Sequence, residues 1–192
     1  MAHNQEMVDA LLQSASTSVK QNVSSVLAVF SDINWKRVKF TIPMIPVPSH
    51  RPRLCGYRVY VPGAAKNQSY FDRNIRPKLH GLFIDTPCKI EADIFCKTPM
   101  SFTKTQAILA EMGVLRPWVN TGDVDNYDKA IFDMMQPNEK RGHVGIMEND
   151  CLIIESKSNK YYSCNPRYEI TITYMEKMPD SIRNVMRLNK FK

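Results

Sequence analysis

The sequence predicts one α+β domain preceded by a helical extension, and three patterns support this fold class. Residues 88–95 alternate between apolar and polar side chains, as in a strand with one buried face. Residues 127–135 place apolar side chains at helical spacing. Two more strand-like stretches, 147–156 and 168–174, follow that helix. Helices and strands are therefore interspersed along the chain, which is typical of an α+β domain.

The chain divides into three segments at the sequence level. Residues 1–35 form the helical extension, because apolar side chains recur there at helical spacing, with a predicted break near residues 16–18. Residues 36–176 form the domain, and residues 177–192 form a basic tail. The extension packs either on its own domain or on a partner subunit, and the periodicity leaves both possibilities open.

Shorter elements are predicted within the domain. Residues 38–45 and 57–61 have the pattern of strands, and a helix begins near Asn67 and is limited by Pro77. A further helix at 104–112 belongs to an insert. Trp118 follows that helix, and we expect its ring to pack in the protein rather than to stack on a base.

The positive charge of the chain is concentrated in one region. Residues 36–78 carry ten Lys or Arg and one acid, Asp72, so this region carries +9. The whole chain carries +7, so the remaining residues together carry about −2. A solvated basic face is the ordinary explanation, and a surface that binds a polyanion is the alternative. The candidate DNA-binding residues are Arg51, Arg53, Arg58, Lys66, Arg73 and Arg76.

Composition also indicates where the protein works. No run of 18 apolar residues is present, so we expect no membrane span, and the first residues lack the pattern of a secretory signal. The five cysteines form no Cys-x-x-Cys pair, which fits neither a disulfide framework nor a zinc site. We therefore expect reduced thiols and a cytoplasmic protein.

The stretch from Gly122 to Lys129 holds the strongest functional signal. Asp123 and Asp125 lie two residues apart where an extended segment meets a helix. In an extended backbone, residues i and i+2 point to the same side, so both carboxylates converge on one hard cation. Lys129 follows one helical turn later. This combination suits hydrolysis of a phosphodiester by a metal-bound water.

Two simpler explanations compete with a metal site. Acidic residues near a helix start often serve as caps or as partners of the helix dipole. A calcium-binding EF-hand loop is excluded, because it requires Asp or Asn, Gly and Glu at its fifth, sixth and twelfth positions. Counted from Asp123, these positions hold Tyr127, Asp128 and Met134.

The polar side of the predicted helix carries Asn126, Lys129 and Asp133 as auxiliary candidates. Lys129 either binds the scissile phosphate or pairs with Asp125 or Asp133.

A third acid, Asp150, heads the apolar stretch that follows the helix. It is a candidate metal ligand or only a solvated residue at a strand start. Glu148 is the alternative third carboxylate.

These residues resemble the RusA-like Holliday junction resolvases, which are found mostly in bacteriophages and prophages. The pattern Asp-x-Asp-Asn-x-x-Lys-Ala-x-x-Asp is met from Asp123 to Asp133, and the later acid before a strand is met by Asp150. Residues 48–53 resemble the basic amino-terminal motif of the family, and residues 168–173 resemble its final strand. The family often has two acids where this chain has Asn149 and Asp150.

The resemblance implies a fold, an activity and a set of site residues. The fold is a single domain with a small mixed β-sheet packed by helices. The activity is a Mg²⁺-dependent endonuclease, with Mn²⁺ as a possible substitute, whose homodimer nicks two opposing strands of a four-way DNA junction. The resemblance assigns catalysis to Asp123, Asp125, Asp150 and Lys129, and metal binding to the three acids. Flaps or forks as substrates, and a DNA-binding protein without catalysis, are the rival functions.

Overall fold

The computed structural model describes residues 4–49, 53–55, 58–60, 64–118, 121–180 and 182, and for 53–55 and 58–60 it describes the backbone only. The chain forms two compact units, residues 36–174 and residues 1–35 with 175–192. The predicted α+β class with a mixed sheet is confirmed by five helices and a four-stranded mixed sheet.

The main sheet has its strands in the order β1 (Trp35–Ile42), β6 (Arg167–Met175), β4 (Cys88–Lys97) and β5 (Ile153–Ser163). The central strand β4 pairs antiparallel with β6 and parallel with β5. The predicted alternation of β4 is confirmed, because every second residue from Cys88 to Cys96 is buried. One face of the sheet therefore contributes to the core.

Polar side chains on the other face of the sheet neutralise one another across the strands. Glu91 lies 3.0 Å from Arg37 of β1, and Asp93 accepts a hydrogen bond of 3.0 Å from Asn159. The ion pair between Glu91 and Arg37 is more than half exposed on both sides. Such a pair contributes about 0–1 kcal/mol to stability.

Three helices accompany the sheet, and a separate two-stranded hairpin lies between the first strand and these helices along the chain. The hairpin pairs β2 (Arg53–Cys55) with β3 (Arg58–Tyr60), and only its second strand was predicted. The helices are α3 (Ala64–Asn74), α4 (Lys104–Glu111) and α5 (Val124–Met135). Helix α3 packs on α5, and both α4 and α5 contact β5. As predicted, α3 ends before Pro77, where a 3₁₀ turn at Arg76–Leu79 follows.

A buried histidine joins α3 to the chain that follows α5. The Nδ1 atom of His143 lies 2.7 Å from Oδ2 of Asp72 on α3, and its Nε2 atom lies 2.8 Å from the carbonyl oxygen of Met134. The ring is buried and also meets the edge of Phe71. Both ring nitrogens are thus satisfied, as burial of a polar group requires.

The backbone after this histidine turns tightly against the end of α5. Gly145 adopts a positive φ of 65°, and a Cβ atom there would lie 2.3 Å from the carbonyl oxygen of Met135. That same carbonyl accepts hydrogen bonds from the amides of Ile146 and Met147. Only glycine fits this approach, and the turn directs the chain towards Asp150.

The other unit contains two helices at its amino-terminal end, α1 (Gln5–Ser14) and α2 (Thr17–Ser31). The predicted break occurs at Ala15 and Ser16, and the Ser16 hydroxyl accepts a hydrogen bond from the amide of Val19. Neither helix buries a side chain in the part of the chain that the structure describes. Whether the extension packs on a partner subunit stays a prediction.

Two further sequence expectations concern membranes and thiols. No described helix combines the length and the apolar character that a membrane span needs. Four cysteines have described side chains, and all are free thiols: Cys88, Cys96, Cys151 and Cys164.

Candidate active site

The acid motif lies at the start of α5. Asp123 occupies the position before the first helical residue, with an extended backbone, and its side chain makes no capping hydrogen bond. Asp125 already lies in the first turn, because the helix begins at Val124. Each helical residue is rotated by about 100° from the last, so the predicted extended arrangement of the two acids is wrong. Both side chains are nevertheless exposed.

The buried face of α5 is the predicted one. It consists of Tyr127, Ala130, Ile131, Met134 and Met135. The opposite face carries Asn126, Lys129 and Asp133, as the periodicity predicted. Lys129 approaches Asp133 to 3.9 Å. Because the lysine side chain is 57% exposed, its ammonium group also stays accessible to other anions.

Asp133 connects this face to the third predicted acid. Burial raises the pKa of Asp133 above its ordinary value, the nearby Lys129 lowers it, and the negative charge of Asp150 raises it. Asp150 therefore lies close enough to α5 for its charge to act on this helix. It does not head the strand directly, because it begins a 3₁₀ turn, Asp150–Leu152, that precedes β5.

The residues before Asp150 have structural roles in their backbone or side chain. The side chain of Asn149 accepts a hydrogen bond of 2.9 Å from the amide of Cys151 and so caps the turn. The amide of Glu148 donates to the carbonyl oxygen of Ile84. Asn149 thus fixes the turn that presents Asp150, at a position where the family often has an acid.

Asp128 is a half-buried acid on α5 that the sequence analysis did not single out. It accepts a short hydrogen bond from the hydroxyl of Ser158 on β5. Burial raises the pKa of Asp128, the bond from Ser158 lowers it, and the charge of Asp125 raises it. Asp128 therefore ties α5 to the sheet and lies near Asp125.

Within the described part of the chain, no three His, Cys, Asp or Glu side chains are arranged so that they hold a metal ion as they stand. The acids act electrostatically in two pairs, Asp125 with Asp128 and Asp133 with Asp150. Joint metal binding by Asp123, Asp125 and Asp150 stays a prediction.

The loop that leads into the basic motif lies against the start of α5. The amide of Ser49 donates a hydrogen bond of 2.8 Å to the carbonyl oxygen of Asn126. A Cβ atom on Gly122 would lie 2.5 Å from the ring of Pro48, so a glycine is required at this contact. Of the predicted DNA-binding residues, Arg51 and the side chains of Arg53 and Arg58 lie outside the described residues.

The remaining predicted basic residues lie on or after α3. Lys66 and Arg73 are exposed and seven positions apart, so they share one face of this helix. Arg76 approaches Asp72 to 3.5 Å and is partly neutralised by it. On another face of α3, Gln68 donates a hydrogen bond of 2.8 Å to the carbonyl oxygen of Asp133.

Lys160 of β5 holds the segment immediately before the acid motif. Its ammonium group donates to the carbonyl oxygen of Gly122 at 2.8 Å and to the hydroxyl of Thr121 at 3.4 Å. Its backbone carbonyl accepts a hydrogen bond of 3.1 Å from Arg116. No local sequence signal identifies Lys160, because its role depends on the position of β5 beside the motif.

Trp118 lies between these two attachment points, and the expectation that it packs in the protein is wrong. Its side chain is 84% exposed. The guanidinium group of Arg116 instead covers the neighbouring aromatic ring, at 3.9 Å from the centre of Tyr161. The insert thus presents its tryptophan to solvent.

Comparison with known proteins agrees with this arrangement. A protein from Bacillus subtilis (strain 168), named uncharacterized protein YqaN, is 30% identical to this chain over 146 residues, which are 70% of this chain and 94% of that protein. The sequence profile of the family described as endodeoxyribonuclease RusA matches residues 43–173. These residues include all the predicted catalytic positions, from Asp123 to Asp150. The match spans more than half of the chain, which therefore belongs to the RusA endodeoxyribonuclease family.

Proposed function

We propose that this protein is a Mg²⁺-dependent endodeoxyribonuclease that resolves four-way DNA junctions by paired nicks in opposing strands, in recombination and repair. The family supports an endodeoxyribonuclease that acts on Holliday junctions. The observation that carries the proposal is the outward face of α5. There Lys129 lies beside Asp133, and the charge of Asp150 acts on the same carboxylate.

Asp123, Asp125 and Asp150 are the residues that would hold the cation. Their carboxylate oxygens are the donors that Mg²⁺ prefers, and Mn²⁺ accepts the same donors. All three are exposed, and exposed side chains change rotamer within nanoseconds, so they are free to adjust to an ion. A bound cation would supply a Lewis acid and lower the pKa of a coordinated water.

Lys129 would bind the phosphate that is cut. Its present partner, Asp133, lies at 3.9 Å in a pair that is more than half exposed on the lysine side. An exposed pair of this kind contributes little to stability. A phosphate therefore competes effectively for the ammonium group, while Asp133 keeps the lysine on the correct side of α5.

Phosphates further from the cut would meet the basic residues of the amino-terminal half. The loop at 47–49 and helix α3 both contact α5, which puts this basic region next to the acids. The residues proposed for this contact are Arg51, Arg53, Arg58, Lys66, Arg73 and Arg76. Neutralising phosphates releases counterions, so binding weakens as salt rises.

A homodimer would present two such sites to the two strands of a junction that are related by a two-fold axis. Sedimentation of the full chain with and without a four-way junction tests this directly. A cytoplasmic location, where thiols stay reduced, agrees with the free Cys151 and Cys164 on the surface.

The decisive experiment is cleavage of a mobile four-way junction with and without Mg²⁺. We expect paired nicks only with the metal. Asp125→Asn should retain junction binding and lower the rate about 100-fold or more, since loss of a group at the reacting centre commonly costs that much. Asp32→Asn is the matched control, because Asp32 is an exposed acid outside the family domain. Full activity of Asp125→Asn would contradict the proposal.

A second pair of variants tests the third carboxylate. Asp150→Asn should raise the Mg²⁺ concentration needed for half-maximal cleavage or eliminate cleavage, whereas Glu148→Gln should leave the metal dependence unchanged. The charge of Asp150 acts on Asp133, and Glu148 is held through its backbone amide. The opposite ranking would assign the metal site to Glu148.

A further inference from the structure

An exposed tryptophan lies five residues before Asp123. The chain alternates on the way to it, with Leu115 packed against the core, Pro117 buried, and Arg116 and Trp118 on the outside. This alternation is that of an extended segment, in which successive side chains point to opposite sides. The burial of Pro117 therefore fixes the outward direction of the tryptophan.

The segment around this tryptophan is attached to β5 on both sides. Arg116 donates to the carbonyl oxygens of Gly113 and Lys160 and stacks over Tyr161. Thr121 and the residue after it accept hydrogen bonds from the side chain of Lys160. We call residues 116–122 the clamped loop.

The clamped loop also limits the distance between the tryptophan and the acids. Five residues span at most about 18 Å even when fully extended, so the Cα atom of Trp118 lies within that distance of Asp123. DNA held at the acid motif would pass within reach of the indole ring. The basic Arg116 beside it favours a polyanion.

We propose that Trp118 stacks on an unpaired base at the branch point of the DNA bound at the Asp123 motif, an inference that rests on the proposed function. An aromatic ring stacks on any base, but only where the base is not already stacked within a duplex. A branch point exposes such bases and a continuous duplex does not. Trp118 thus contributes selectivity for branched DNA without taking part in the cleavage reaction.

Binding in EDTA at one fixed salt concentration tests the proposal without cleavage. Trp118→Ala should weaken binding to an immobile four-way junction by about 5- to 100-fold, the range observed for loss of one base–aromatic stack. Binding to a duplex of the same sequence should change less than about twofold, and Trp118→Phe should recover most of the junction affinity. Met100→Ala is the matched control, since Met100 is 95% exposed in the same insert but lies outside the clamped loop.

Fluorescence supplies a readout independent of affinity. The chain has two tryptophans, so Trp35→Phe leaves Trp118 as the only one. In that variant, saturating junction DNA should quench the emission and the matched duplex should not. Unchanged emission with bound junction would overturn the proposal.

The variants separate this inference from the proposed function. If the unaltered protein fails to prefer the junction over the duplex, both fall. If it binds the junction normally and Trp118→Ala binds equally well, or loses junction and duplex affinity alike, only the role of Trp118 falls. A loss as large in Met100→Ala as in Trp118→Ala would also overturn it.

Discussion

Helices α5 and α2 have the same kind of sequence pattern and different surroundings. Both repeat apolar residues at helical spacing, and α5 buries five of them while α2 buries none within the described residues. On α2 the side chains of Val19, Val23, Leu27 and Phe30 remain exposed. Helical periodicity identifies an apolar face, but the element that covers this face is decided by the rest of the fold.

The starts of the two helices differ in the same way. The start of α2 is held by its own cap, Ser16. The start of α5 has no side-chain cap, and other segments hold it through Pro48, Ser49 and Lys160. An uncapped Asp123 is the cost of keeping its carboxylate available, and long-range contacts replace the local one.

The largest expected effect compares the two apolar faces. Ile131→Ala, at a fully buried position of α5, should lower the free energy of unfolding by about 2–5 kcal/mol. Leu27→Ala on α2, where the side chain is 59% exposed, should change it by about 0.5 kcal/mol or less. Urea denaturation measures both. A loss above about 1 kcal/mol for Leu27→Ala would show that the apolar face of α2 is covered in solution.

The next effect tests the contacts that hold the start of α5. Gly122→Ala would place a Cβ atom 2.5 Å from the ring of Pro48, so we expect a loss of about 1–3 kcal/mol in stability, as overpacking usually causes, and slower junction cleavage. Adding Pro48→Gly removes the clashing atoms and should restore part of both. Strictly additive effects of the two substitutions would show that the contact is unimportant.

The two caps supply a smaller comparison. Ser16→Ala removes a capping hydrogen bond and should speed hydrogen exchange in the first turn of α2 by an amount equal to about 1 kcal/mol. Asp123→Ala loses no such bond, so exchange in the first turn of α5 should change by about 0.5 kcal/mol or less. Equal effects at both sites would mean that Asp123 caps its helix in solution.

The smallest effect depends on pH. Burial raises the pKa of Asp128, so the ionised carboxylate is less favourable in the folded protein than in the unfolded chain. Asp128→Asn keeps an acceptor for Ser158 and removes that cost. The variant should therefore be more stable than the wild type at pH 7, and its advantage should vanish as pH falls below the ordinary value of 3.8. An advantage that persists at pH 3 would contradict this origin.

Local patterns predicted the parts of the fold that local physics decides. The alternation of β4 and the buried face of α5 followed from side-chain spacing alone. The arrangement of Asp123 and Asp125 did not, because the exact residue at which the helix begins depends on how Gly122 is held.

Contacts between distant segments were beyond the reach of the sequence. The pairing of His143 with Asp72 spans 71 residues, and the bond from Lys160 to Gly122 spans 38. Trp118 was expected to pack because large aromatic rings usually do. In the fold, the guanidinium group of Arg116 covers Tyr161 instead, and Trp118 stays in solvent.

The clamped loop has a consequence for how such a nuclease can change. Because Lys160 accepts from Arg116 through its backbone and donates to Gly122 through its side chain, variation inside the loop is absorbed before it reaches the acids. The tip of the loop can therefore be exchanged as a cassette, by evolution or by protein engineering, while the chemistry stays constant. New DNA structures would become substrates through grafted tips on one unchanged catalytic helix.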